Sequence, residues 1–178
     1  MKLFGAAGRH TVLVCDRYSA YKKLARELDG AIILSFCWSH QRRTIIDCAA
    51  GEERLTPWCE SWIGRIAKLY RLNEARLARY DPGRERQGAA FSNAQAALRK
   101  ALESLFAQAE RELTALPAQA PEGKALRSLL NHREGLSVFV ERPSVPMDNN
   151  QSNAANRIMP RSSSNPLIPL TRALALSA

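Results

Sequence analysis

Acidic residues are scarce beside basic ones: 17 Asp and Glu stand against 26 Lys and Arg in 178 residues, a formal net charge of +9. Such an excess favours an anionic partner, of which nucleic acid is the commonest, and speaks to association rather than to fold. The plain alternative is a basic surface that serves solubility alone. No run of 18 apolar residues occurs, so nothing reads as a membrane span. There is no Cys-x-x-Cys pair; Cys15, Cys37, Cys48 and Cys59 stand apart. With no secretory signal before them, they read as reduced thiols in a cytoplasmic chain. No internal repeat is visible, which sets aside solenoids. Apolar residues make up 46%, enough for a core, and the length suits one domain or slightly more.

The most informative stretch is Thr11 to Tyr21, TVLVCDRYSAY. Val12, Leu13 and Val14 read as a short buried strand, too continuous for an amphipathic helix. Asp16 falls at its C-terminal end, where open α/β sheets place their ligands. It reads equally well as a loop or N-cap residue. From Tyr18 to Leu28, Tyr21, Leu24, Ala25 and Leu28 recur at helical spacing, and Asp29-Gly30 ends the pattern. Ala31 to Phe36 is a second strand-length run. Together these make a β-α-β unit with parallel neighbours expected at 11–15 and 31–36.

Cys37-Trp38-Ser39-His40-Gln41-Arg42-Arg43 follows and leads into a helix from about Thr44. Cys37 and His40 are half of a zinc set, and no second pair completes it. The other reading is that Cys37 and Trp38 pack while His40 bonds locally. Arg42 and Arg43 present rigid donor forks suited to phosphate, or are two solvated arginines.

From Glu60 the pattern turns helical. Trp62, Ile66, Leu69 and Leu77 form one stripe, with Lys68, Arg71, Arg76 and Arg79 on the other sides, and Asp81-Pro82-Gly83 ends it. A second helix is expected from Phe91 to Leu116, along Leu98, Leu102, Leu105, Ala109 and Leu113. A third spans about Gly123 to Val140, with Gly135 bending or ending part of it. The breakers between them favour antiparallel packing over a coiled-coil rod. Beyond Pro143 comes Val145-Pro146-Met147-Asp148-Asn149-Asn150, where Asn150 is a good N-cap for a short helix through Asn156 or Arg157. Pro166 and Pro169 break the final apolar stretch.

The order VLVCDRYSAYKKL, FCWSHQRR, a helical middle and VPMDNN resembles the transposases of the sixty-sixth insertion-sequence family, members of the DDE superfamily. The resemblance runs from about residue 11 to residue 160. It implies an α/β fold: a partial ribonuclease H-like core with a helical insertion. Residues 1–59 would be the partial core, 60–141 the insertion, 142–160 a return to the core with the final active-site helix, and 161–178 an irregular, divergent tail. It also implies metal-dependent DNA cleavage and transfer, in which acidic residues hold two magnesium ions that activate a water or a 3′ hydroxyl. Asp16 matches the second acidic residue and, by the resemblance, would be the metal carboxylate, with Tyr18 beside it. Cys37, Trp38, His40, Arg42 and Arg43 match a motif expected to be structural or to touch DNA. Asp148, Asn149 and Asn150 match the segment before the last acidic residue, and Arg157 matches a later arginine that is a DNA-contact candidate.

The departures shape the expectation. The family's first acidic residue lies well upstream of the Asp-x-Tyr motif, and this sequence offers none before Asp16. The amino-terminal strands are expected to be missing. The position of the family's last Glu holds Asn153, and Ser162, Ser163, Ser164 and Asn165 replace a Gly-Arg-Lys-Asn segment. The reading is of a truncated copy with a shifted frame at its end. It would be inactive alone, because one carboxylate does not fix two hard cations. The alternative is a non-enzymatic fragment that binds DNA, associates with a full-length transposase or self-associates.

Overall fold

The computed structural model describes residues 11–16, 21, 23, 25, 27–28 and 31–148. The β-branched runs form two strands, β1 (Thr11–Cys15) and β2 (Ile32–Phe36). They pair in parallel, from Thr11 opposite Ile32 to Cys15 opposite Phe36. Between them the chain is helical at Tyr21, Lys23, Ala25 and Glu27. The β-α-β reading of the sequence therefore agrees with the structure. β1 is covered less than a buried strand would be, with Val12, Leu13 and Val14 half-exposed. Among the described residues it has one neighbouring strand, and its other edge has no partner strand.

Helix α1 (Trp38–Ala49) begins six residues earlier than the run from Thr44 suggested. The whole Trp38–Arg43 motif is helical, turning Trp38, Gln41 and Ile45 inward. Gly51, at φ 85°, makes the exit from α1 in a conformation that favours glycine. A short 3-10 turn (Glu53–Leu55) leads into α2 (Thr56–Leu77), with a proline in its first turn. Its inward stripe is Cys59, Trp62, Ile66, Leu69, Asn73 and Arg76. Arg76, assigned by pattern to the outer face, is fully buried. After the Asp81-Pro82-Gly83 turn comes α3 (Ala89–Ala115), burying Leu98, Leu102, Leu105, Phe106 and Ala109.

The expected third helix is two. α4 (Pro121–Asn131) and α5 (Arg133–Glu141) are separated at His132, whose φ of −110° and ψ of 12° leave the helical region. Gly135 does not break the helix. It lies inside α5, where a Cβ would sit 2.3 Å from the Phe36 ring. The glycine therefore lets α5 close on β2. Past α5 the chain returns to α1, and the Trp38 amide donates to the Met147 carbonyl at 3.0 Å.

One hydrophobic cluster joins these elements, from Cys15 and Phe36 through Trp38, Trp62, Leu98 and Leu126 to Phe139 and Met147. α3 packs on α2 and α4, α1 on α2 and α4, and α5 on β2. The helices after residue 60 thus pack on the strand and α1 as well as on one another. No described helix is long and apolar enough to cross a membrane.

Candidate functional site

The site is built where β1 ends and α1 begins. The Cys37 amide donates to the Cys15 carbonyl at 3.1 Å, so the end of the strand and the start of the helix are tied together. Asp16, next in the chain, is half-buried at this junction. Trp38 anchors the helix from within. Its indole N–H donates to the Leu136 carbonyl at 2.9 Å, and its ring meets Phe139 edge to face. Cys37 and Trp38 are both buried, so they pack.

The first turn of α1 has no capping bond from its own N-cap residue and no acidic side chain of its own. Both needs are met by Asp148, 109 residues later. Its Oδ1 accepts the Ser39 amide at 2.8 Å and the Cys37 thiol at 3.6 Å. The Tyr70 hydroxyl lies 2.8 Å from both carboxylate oxygens. A carboxylate at a helix N-terminus satisfies an orphan N–H and complements the helix dipole. Burial, and then the neighbouring Asp148 carboxylate, push the Tyr70 hydroxyl well above the ordinary phenol range, so it remains a donor.

One turn further on, Ser39, His40, Arg42, Arg43 and Ile46 line a cavity of about 410 Å³. Positions 39, 42, 43 and 46 share one helix face. Arg42 and Arg43 are exposed, as is His40. Arg42 and Arg43 both line this concavity, and each guanidinium is a rigid planar fork of N–H donors. Ser39 belongs both to this cavity and to the Asp148 contact.

The structure thus places Cys37, Trp38, His40, Arg42 and Arg43 at the start and along the first turns of α1, with Asp148 bonded to that start and Asp16 one residue past the strand end to which Cys37 is tied. Tyr18, Asn149, Asn150, Asn153 and Arg157 lie outside the described residues, as does the expected meeting of Asp16 with the Asn150 helix. Among the described residues no three His, Cys, Asp or Glu side chains gather as a metal site. Tyr70 and Ser39 are the members that sequence reasoning missed. Tyr70 abuts the apolar stripe of α2 and looks like part of it. Its partner is 78 residues away.

These features are those of a basic α/β-and-helix protein with a strand-end carboxylate and an arginine-bearing helix beside it. Residues 3–168 match the family described as Transposase IS66 family. The chain belongs to that family of insertion-sequence transposases. A curated relative, the uncharacterized protein y4jD of Sinorhizobium fredii (strain NBRC 101917 / NGR234), is 28% identical over 145 residues, covering 78% of this chain. Those residues are 26% of the relative, so the chain spans about a quarter of its length. No solved structure matches.

Proposed function

We propose that the chain is a DNA-binding part of a DDE-type transposase, gripping the phosphate backbone through Arg42 and Arg43 and not cutting DNA by itself. The observation that carries the first half is the exposed arginine pair over the cavity of α1, in a chain of net charge +9. Backbone contacts of this kind position DNA without reading its sequence. Arg157, which the family resemblance marks, would add to them.

For catalysis, the family's chemistry needs carboxylates around two magnesium ions, which activate the attacking oxygen and stabilise the leaving one. Asp16 is the chain's candidate ligand. Asp148 is engaged elsewhere: its Oδ1 caps α1 at the Ser39 amide and the Tyr70 hydroxyl lies 2.8 Å from both oxygens, so turning it to a metal would give up that cap. Asn153 offers a neutral oxygen where the family has Glu. Asp16 with a neutral amide at Asn153 is short of the carboxylates that two hard cations take, and this supports a role in binding. A ribonuclease H-like core with residues 60–141 inserted into it is the architecture this reading implies, and association with a full-length transposase would bring further acidic groups to the DNA.

The test is twofold. The purified chain should bind random duplex DNA with an affinity that falls as salt rises. It should leave matched terminal-repeat DNA uncut in magnesium or manganese. Absence of binding at low salt would overturn the first half, and robust cleavage the second.

A further inference from the structure

We propose that Tyr70 is a positioning residue for the basic face of α1, acting through Asp148. The inference rests on the DNA-binding reading and extends it to a residue on a different helix, outside the lining of the arginine cavity. Its basis is the way α1 starts. The helix has no side-chain cap of its own. Its first two amides, of Trp38 and Ser39, are satisfied by Met147 and Asp148. The returning segment therefore sets where α1 begins, and the hydroxyl of Tyr70 holds that segment's carboxylate at 2.8 Å from both oxygens. Ser39, which Asp148 holds, is also the first residue of the cavity face carrying Arg42 and Arg43. A carboxylate free to rotate would release the Ser39 amide and let the first turn fray. The arginine pair then meets phosphate from a broader set of orientations, and ordering it costs affinity.

The experiment uses the full chain and a random duplex, titrated by fluorescence anisotropy from about 50 to 200 mM salt. Tyr70→Phe changes no charge. It should weaken binding by about 3- to 10-fold, the scale of one ordinary net hydrogen bond because the lost bond acts only through the position of α1, while the slope of log affinity against log salt stays at the wild-type value. That slope reports how many phosphates are neutralised, so it separates positioning from direct binding. Asp148→Asn keeps a carbonyl acceptor for Ser39 and Tyr70 and removes a negative charge beside the arginines. It should bind at least as tightly as wild type. Asp148→Ala should bind more weakly than Asp148→Asn although their charge is the same. Wild-type affinity in Tyr70→Phe, or equal affinity of the two Asp148 variants, would overturn the proposal. A reduced slope in Tyr70→Phe would overturn it in favour of a direct contact. Should the wild-type chain not bind duplex DNA, the DNA-binding reading fails by itself. Amide exchange then judges the positioning: faster exchange at Ser39 in Tyr70→Phe supports it, and unchanged exchange overturns it.

Discussion

Gly135 and Phe36 meet more closely than any larger residue permits. A Cβ at position 135 would lie 2.3 Å from one ring carbon and 2.6 Å from the next. Gly135→Ala would gain about 1 kcal/mol of helix propensity, yet the overlap forces the ring or the helix to move, at about 1–3 kcal/mol or more. Urea denaturation should show a net loss of stability, and Phe36→Leu in the same chain should recover part of it. Arg76 is the opposite case, a large charged group held wholly inside. Its guanidinium donates to the carbonyls of Phe139 and Val140, which close α5, and to Asn73 and Gln95. Burial lowers its pKa below the ordinary arginine value, although neighbouring Glu141 opposes that shift. Arg76→Met would keep the volume and strand those acceptors. The expected cost is about 2–4 kcal/mol, from several buried groups left unpaired. Neither residue was legible in the sequence. Glycine is a general bend signal and arginine a general surface signal. Only the partner on another element, Phe36 or the end of α5, gives each its actual role.

The elements themselves were largely legible, because their causes are local. β-branched runs gave β1 and β2, and three- and four-residue apolar spacing gave the interiors of α2 and α3. The failures lie at ends and breaks. α1 starts at Trp38 because a distant carboxylate caps it, and no local residue announces that. α4 and α5 divide at His132, where neither proline nor glycine stands; the turn lets α4 pack on α3 while α5 reaches β2. The same distant cap carries a pH signature. Tyr70 in the folded chain keeps its proton well above the ordinary phenol range, through burial and then the Asp148 carboxylate. The unfolded chain loses that proton near pH ~10. Above that pH the folded state binds more protons than the unfolded, so stability falls as pH rises. Below it the contribution is fully present. Tyr70→Phe removes this component. Between pH ~10 and ~11 its stability should decline less steeply than that of wild type, by up to ~1.4 kcal/mol per pH unit. Denaturation at several alkaline pH values checks it; equal slopes would contradict the buried, bonded hydroxyl.

At the scale of the whole molecule, one core spans the strands and all five numbered helices, and the family match spans nearly the whole chain. The candidate site was half legible. The motifs named the positions of Asp16, Arg42, Arg43 and Asp148, but not that Asp148 is a helix cap rather than a spare acid. A carboxylate in a sequence is silent about its donors. This bears on repair of the site. Asn153→Glu would add a charged oxygen ligand to the one proposed at Asp16, giving detectable but weak magnesium binding by calorimetry, and no strand transfer, because two-metal chemistry needs both oxygens of the displacement held. DNA nicking by that variant, abolished again by Asp16→Ala, would contradict this. The central claim is that the arginine face of α1 binds the phosphate backbone. Its most direct test is the salt dependence of duplex binding by wild type beside Arg42→Ala/Arg43→Ala. Without the two guanidinium groups to neutralise phosphate, the slope of log affinity against log salt should fall by about 2 while the thermal melt stays near wild type. An unchanged slope in a folded double variant would contradict the account.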